Sequence, residues 1–189
     1  LAQPPTKRGG LDLLSGGLDE AGIPLTDDDL VEQLLLLLFA GYETTASSLS
    51  CLMRALLLNP EVEQWLLPEL LDQSWPNLDA RSCPRLDATV LEVMRLTPPV
   101  GGFFRRTKDT VQLGGVAIPP NRVIQVALSP DLGDGSCDLA DIRPQRHLDG
   151  SFTPTLLPFG GGERVCLGKA LAELEIRLMA VGLLQRVRL

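Results

Sequence analysis

Histidine and basic charge are both scarce in this chain of 189 residues. Lysine and arginine number 17 against 24 aspartates and glutamates, which gives a formal net charge of -7 at pH 7. Broad nucleic-acid binding requires a basic face that displaces counterions from phosphates, so this charge balance argues against it. The one histidine, His147, is more typical of a structural or surface residue than of a metal ligand.

Cysteine is also sparse, and its spacing excludes two common uses. The chain has four cysteines, which lie far apart and contain no Cys-x-x-Cys pair: Cys51, Cys83, Cys137 and Cys166. This spacing argues against a zinc site and against a secreted disulfide framework. Reduced thiols are therefore expected.

No unbroken apolar run in the sequence is long enough to span a bilayer. The longest, Leu34 to Gly41, falls far short of the roughly 18 to 20 residues that a transmembrane helix needs. No signal peptide is recognisable, and the chain begins with Leu1 rather than Met, so we expect an internal or truncated piece of a longer protein. We expect the chain as given to be soluble and cytoplasmic, while a membrane anchor on a preceding segment stays open.

The length and composition are those of one globular domain. Hydrophobic residues make up 44% of the chain and charged residues 22%, near the averages of soluble proteins, and a chain of this size can bury its own core. Periodicity and helix breakers divide it into a tail and loop at 1–25, a long helix at 26–58, a helical region at 59–96, a β region at 100–128, a segment without sustained periodicity at 129–163 and a last helix at 167–187. The predicted fold class is mainly α with a small β region.

Local signals define the long helix and one hairpin. Thr26 is followed by three aspartates, which the helix dipole favours in the first turn, and nothing breaks the pattern before Asn59-Pro60. The leucines at 34–38 must point in every direction around this helix, so we expect the segment to be buried on all sides. Gly114-Gly115 between two short apolar runs predicts a two-residue hairpin turn.

A glycine-rich turn, Phe159 to Gly168, delivers Cys166 to the start of the last predicted helix. The glycines allow a tight turn and a close approach to a flat ligand, and a helix N-terminus stabilises a thiolate. This arrangement predicts a place that holds a soft metal. A phosphate-binding loop is set aside because neither a Gly-Lys-Ser/Thr sequence nor a preceding strand is present. An inert buried cysteine stays open as the structural alternative.

Four segments in order resemble the cytochrome P-450 superfamily of heme-thiolate monooxygenases. The Phe-x-x-Gly-x-Arg-x-Cys-x-Gly pattern from Phe159 to Gly168 is similar to its heme-binding signature, and 40–45 is similar to the oxygen-binding groove of its long central helix. Glu92 to Arg95 resembles its Glu-x-x-Arg helix, and 142–147 resembles the segment whose arginine completes that network. The resemblance runs from about Leu11 to the C-terminus, and it implies the C-terminal half of a family member whose N-terminal half is missing.

The resemblance implies a role for each matching residue, with heme b (iron-protoporphyrin IX) as the cofactor. Cys166 would be the axial thiolate ligand of the iron, and Phe159 would shield its sulfur. Arg105 and Arg164 would pair with the heme propionates. The other implied residues are Glu43 and Thr44 as a catalytic proton relay, Gly162 and Gly168 at the heme, Glu92, Arg95 and Arg146 as a structural network, and Ala40, Gly41, Val100, Gly101, Gly102 and Phe103 in the substrate pocket.

The resemblance also carries departures and open alternatives. Gln145 and His147 replace the usual glutamate and aromatic residue, and Asn121 stands where glycine is common. From the residues alone, Glu92 and Arg95 could form an exposed pair at i, i+3. Arg105 could be a solvated strand charge, the polar pair on the long helix could belong to ordinary small-residue packing, and 100–104 could be core.

The implied activity is the insertion of one oxygen atom from O2 into a hydrophobic small molecule such as a retinoid, fatty acid, sterol or terpenoid. The sequence from Leu156 to Lys169 is most similar to the retinoid- and sterol-hydroxylating branches. Electrons would come from a ferredoxin or a flavoprotein. Two alternatives stay open: a heme peroxygenase or isomerase, and a truncated remnant that binds heme without catalysis or serves as an interaction domain.

Overall fold

A computed structural model describes residues 9–73, 83–128, 141–149, 157–187 and 189. The helices in these ranges are α1 (Gly10–Leu14), α2 (Asp27–Leu58), α3 (Pro60–Leu71), α4 (Pro84–Leu96) and α5 (Lys169–Leu184). The strands are β1 (Gly102–Arg106), β2 (Val111–Leu113), β3 (Val116–Ile118) and β4 (Val123–Ala127), and short 3-10 turns cover Pro144–His147 and Gly162–Arg164. The predicted fold class, mainly α with a small β region, is confirmed. Cys137 and much of the segment 129–163 lie outside the described residues.

The chain divides into two compact units, Leu1–Glu43 and Thr44–Leu189. In the first unit, α2 begins at a capping box, in which the Asp29 N–H donates to Thr26 Oγ1 at 3.2 Å and the Thr26 N–H donates to Asp29 Oδ2 at 2.8 Å. These bonds satisfy amide groups that have no partner inside the helix. Hydrogen bonds from the Thr26 hydroxyl and backbone lower the pKa of Asp29, so the carboxylate that caps the helix stays charged.

The leucine run of α2 is exposed in the described chain. Leu35, Leu36, Leu37 and Leu38 expose between 44% and 70% of their surface. The prediction that this segment is buried on all sides is therefore wrong for this chain, because apolar side chains are buried only where other residues cover them. Helix α2 is long and apolar enough to cross a membrane. The core helices of soluble proteins meet the same criterion of length and composition.

The hydrophobic core lies in the second unit and joins the end of α2 to α3, α4 and α5. Full burial of one large apolar side chain contributes about 1.5–3 kcal/mol, so a cluster of this size holds the helices together. The buried members of the cluster are Leu52, Leu56, Val62, Leu66, Leu70, Cys83, Leu86, Val93, Met94, Ile176, Ala180, Val181 and Leu184.

Polar side chains anchor the start of α4 to its two neighbours. Glu69 of α3 caps α4, since its Oε2 accepts the Arg85 N–H at 2.9 Å and its Oε1 accepts the Leu86 N–H at 3.0 Å. From α5, Arg177 donates to both carboxylate oxygens of Asp87 at 2.6 and 3.1 Å. The hydrogen bond to Asp87 raises the pKa of Arg177, although partial burial opposes the shift. Bidentate pairs of this kind fix orientation as well as distance, so α4 is held firmly at its beginning.

The strands form two antiparallel pairs. β1 pairs with β4 over the full length of both strands, and β2 pairs with β3. The second pair is the predicted hairpin, and its turn glycines Gly114 and Gly115 adopt φ angles of 55° and 79°. Positive φ at both central residues is the geometry that suits the right-handed twist of a two-residue hairpin, which is why glycine occupies both positions.

Helix α5 is shorter than the predicted 167–187. Gly168 is its N-cap, with φ -83° and ψ 5°, and Gln185 follows its last residue. The Gln185 side chain donates to the carbonyls of Leu70 at 2.7 Å and Gln73 at 2.9 Å. These contacts tie the end of α5 to the end of α3, where the Leu70 carbonyl also accepts the Gln73 N–H at 3.2 Å.

Candidate functional site

The segment 157–168 is a compact loop that places Cys166 immediately before α5. The Gly160 N–H donates to the Leu157 carbonyl at 2.9 Å, and the Cys166 N–H donates back to the Phe159 carbonyl at 2.8 Å. Gly160 and Gly162 adopt φ angles of 71° and 66°, a conformation that other L residues adopt only with strain. The loop therefore needs glycine at these positions to return the chain from Phe159 to Cys166.

Cys166 is exposed and lies three residues before the first residue of α5. The Lys169 N–H donates to the Cys166 carbonyl at 3.3 Å, and a Cβ at Gly168 would lie 3.9 Å from the Cys166 sulfur. Negative charge is stabilised near the N-terminal end of a helix, which suits a thiolate that ligates a metal. On the other side of the loop, the half-buried Phe159 ring packs against the core and lies 5.7 Å below the Lys169 ammonium.

Two arginines of the predicted site share one cavity of about 510 Å³. Arg105 reaches it from β1, and Arg164 reaches it from the loop that carries Cys166. The other lining residues are Phe103, Phe104, Arg106 and Gly160. Two guanidinium groups beside a glycine loop fit a flat ligand with two carboxylates, because each guanidinium can bind a carboxylate and the glycines leave room for a planar ring. The residues present therefore fit a heme with its two propionates.

A second cluster surrounds the carboxylate of Glu92, which is fully buried in α4. Arg95 donates to both Glu92 oxygens, from Nε at 2.9 Å and from Nη2 at 3.0 Å. The Arg146 Nε lies 3.1 Å from Glu92 Oε1, and the Arg143 backbone N–H donates to that same oxygen at 3.0 Å. The three residues predicted as a structural network thus come together in the interior rather than as an exposed pair.

His147 is a further member of this cluster that sequence reasoning did not find. Its Nε2 lies 2.7 Å from Glu92 Oε2, and its side chain is 6% exposed. Burial raises the pKa of Glu92, but hydrogen bonds from His147, Arg95 and the Arg143 backbone outweigh burial and lower it to about 2. The carboxylate therefore remains charged and links α4 to the turn at Pro144–His147.

The remaining predicted residues lie on α2 and before or within β1. Ala40, Gly41 and Glu43 belong to the first unit, while Thr44 is the first residue of the second unit. Thr44 is half-buried, and the Ser48 hydroxyl donates to its carbonyl at 3.0 Å. The predicted pocket residues Val100 and Gly101 precede β1, and Gly102 and Phe103 begin it.

Comparison with known proteins shows the family. The cytochrome P-450 family model matches residues 3–189 of this chain. The chain belongs to the cytochrome P-450 family. The resemblance that the four motifs predicted is confirmed, and the cofactor of this family is heme b.

Two curated cytochrome P-450 proteins and one solved structure illustrate how similar the relatives are. Putative cytochrome P-450 120 of Synechocystis sp. is 36% identical over 195 residues, which cover 97% of this chain and 44% of the relative. Cytochrome P-450 26B1 of Danio rerio is 35% identical over 192 residues, which cover 92% of this chain and 37% of the relative. A retinoic acid-bound structure of cyanobacterial CYP120A1 superposes with a TM-score of 0.85 at 34% identity, over 97% of this chain and 44% of that one. The chain thus spans less than half the length of these cytochrome P-450 relatives.

Proposed function

We propose that this chain supplies the heme-binding part of a heme-thiolate monooxygenase that oxidises hydrophobic small molecules. The observation that carries the proposal is the exposed Cys166, which lies just before α5. The loop that holds it also carries Arg164, which lines one cavity together with Arg105. The membership of the chain in the cytochrome P-450 family supports the same activity. Heme bound through a thiolate supplies the activation of O2 from which one oxygen atom enters the substrate.

The residues of the loop and of β1 would hold the heme. Cys166 would ligate the iron, and Phe159 would shield the sulfur from water. Gly162 and Gly168 would keep the loop close to the ring, since a side chain at Gly162 would require a strained φ of 66° and one at Gly168 would fill space beside the sulfur. Arg105 and Arg164 would each bind one propionate, because charge-assisted bonds between guanidinium and carboxylate groups are strong and directional.

The Glu92 cluster would act as a structural network. Three side chains reach Glu92: Arg95 from the same helix, and Arg146 and His147 from the later turn. A buried, multiply bonded carboxylate fixes the relative position of the elements that it joins. Its role would be to hold α4 and the Pro144–His147 turn in place, without contact to substrate.

Glu43 and Thr44 of α2 would deliver protons during oxygen activation. The similarity of 40–45 to the oxygen-binding groove of the family supports this role, and Glu43 is exposed while Thr44 is half-buried on the helix. Ala40 and Gly41, one turn earlier, would leave space for oxygen and substrate beside the helix. Val100, Gly101, Gly102 and Phe103 would line the substrate pocket from the side of β1.

A retinoid or another apolar compound of similar size is the substrate class that we propose. The relative whose solved structure holds retinoic acid is 34% identical over 97% of this chain, which supports this class. Fatty acids, sterols and terpenoids share the same apolar chemistry and are the other members to test. A ferredoxin or a flavoprotein would deliver the electrons.

A heme titration followed by a reduced, carbon monoxide-difference spectrum tests the proposal. Thiolate-ligated heme places the Soret band far to the red of histidine-ligated heme. We expect the thiolate-type band for the unmodified chain and for the control Cys51→Ser, and its loss for Cys166→Ser. Absence of saturable heme binding by the unmodified chain would refute the proposed function, as would an unchanged band in Cys166→Ser.

A further inference from the structure

Phe103 and Arg105 lie on the same face of β1, because side chains alternate along a strand and these two are separated by one residue. The Arg105 guanidinium carbon lies 4.4 Å from the centroid of the Phe103 ring. A cation at this distance over an aromatic face is attracted to the ring electrons. The half-buried ring therefore offers the arginine a resting position on its own strand.

A second contact fixes the same guanidinium. Arg105 Nη1 donates to the Phe104 carbonyl at 2.9 Å. The two contacts involve different atoms of the group, since Nη1 makes the hydrogen bond and the guanidinium carbon lies over the ring. A long, exposed side chain that would otherwise sample many rotamers is thereby ordered before any ligand arrives.

The ordered guanidinium lies at the cavity that Arg164 and Gly160 also line. Phe103 lines that cavity too, so the ring and the guanidinium that it contacts belong to the same site. The substrate-pocket role expected for Phe103 does not account for an arginine stacked on its ring.

We infer that Phe103 is a positioning residue for Arg105, which it holds by a cation–π contact ready to bind a heme propionate. The inference rests on the proposed function, because it assigns a role within the same heme site. Phe103 acts through Arg105, so its contribution to heme binding must vanish when Arg105 has no charge. A residue that merely filled space would contribute equally in both backgrounds.

A double-mutant cycle read by heme affinity tests this inference. Phe103→Leu keeps an apolar side chain but removes the aromatic face, whereas Phe103→Tyr keeps that face. Because Arg105 is exposed, the contact is worth the lower range of cation–π energies, and we expect Phe103→Leu to raise the heme Kd roughly two- to fivefold. In the Arg105→Gln background, Phe103→Leu should leave the heme Kd unchanged within the error of the titration. With Arg105 present, Phe103→Tyr should bind heme as the unmodified chain does.

Phe39→Leu is the matched control, because it makes the same substitution at an exposed phenylalanine of α2 that does not line this cavity. Its heme Kd should stay within the error of the unmodified chain. Equal effects of Phe103→Leu with and without Arg105, or an equal loss in Phe103→Tyr, would overturn the inference while leaving the proposed function intact. Failure of the unmodified chain to bind heme would instead overturn both.

Discussion

Arg95→Ala should destabilise this cytochrome P-450 chain far more than the removal of an exposed arginine. The substitution deletes two hydrogen bonds to Glu92, at 2.9 and 3.0 Å, and leaves that carboxylate buried. Breaking a buried ion pair in this way costs about 3–5 kcal/mol in the free energy of unfolding, because the remaining charge keeps its desolvation penalty. A pKa of Glu92 near 2 instead of 4.5 corresponds to roughly 3 kcal/mol of favourable interaction, which is the same scale.

Arg143→Ala is the matched control on the same cluster. The Arg143 side chain forms an exposed pair with Asp141, in which the two side chains are 55% and 60% exposed. Its backbone N–H, which donates to Glu92 at 3.0 Å, remains after the substitution. We therefore expect a loss below about 1 kcal/mol.

Thermal unfolding followed by circular dichroism measures both variants. One kcal/mol shifts the Tm of a chain of this size by roughly 2–4 °C, so Arg95→Ala should lower the Tm by roughly 6–20 °C and Arg143→Ala by at most about 4 °C. If Arg95→Ala is already unfolded at 25 °C while Arg143→Ala is folded, the large cost is equally demonstrated. Equal shifts of a degree or two in both variants would refute the reasoning.

Three further outcomes are expected. The stabilisation from Glu92, roughly 3 kcal/mol, should be complete above pH 4.5 and lost as the pH falls through its folded pKa of about 2, because a lowered folded pKa favours the folded state only while the group is charged. Urea unfolding at pH 2 to 6 measures this loss, and Glu92→Gln should flatten the dependence of the unfolding free energy on pH. Thr44→Ala in the heme-loaded protein should lower the ratio of product to peroxide by up to roughly a hundredfold, because a proton donor is lost, while heme binding and heme reduction stay unchanged. A ratio that is unaltered and equal to that of the control Ser48→Ala would contradict the proton-relay role. The isolated chain should be poorly soluble or oligomeric because of the exposed leucines at 35–38, and a monodisperse monomer in analytical ultracentrifugation contradicts this.

The local elements were predictable because each depends on neighbours in the sequence. Thr26 and Asp29, which form the cap, lie three positions apart, and the Gly114-Gly115 turn is made by the two glycines themselves. The loop before α5 was predictable as a motif because its glycines lie within a few residues of Cys166. Short-range rules were sufficient for all of these.

The parts that sequence reasoning missed depend on the three-dimensional surroundings of a residue rather than on its neighbours in the sequence. His147 reaches Glu92 across 55 residues, and nothing in the sequence around a single histidine indicates a carboxylate at that distance. The contact of Arg105 with the Phe103 ring is local, but whether an arginine folds onto its own strand or extends into water depends on what lines the cavity. The exposure of the leucine run agrees with the expectation that this chain supplies too few elements to cover it, since periodicity shows that the helix needs cover on all sides and not whether the chain provides it.

The cap that Glu69 places on α4 has a consequence for how this protein tolerates change. Helix starts ordinarily take their cap from the preceding loop, which ties the sequence of that loop to the helix. Here the carboxylate arrives from α3 and serves the Arg85 and Leu86 amides directly, so the N-cap position can carry Cys83, which is fully buried in the hydrophobic core. A substitution at Cys83 should therefore act through core packing, whereas Glu69→Ala should remove the cap and loosen α3 and α4 together.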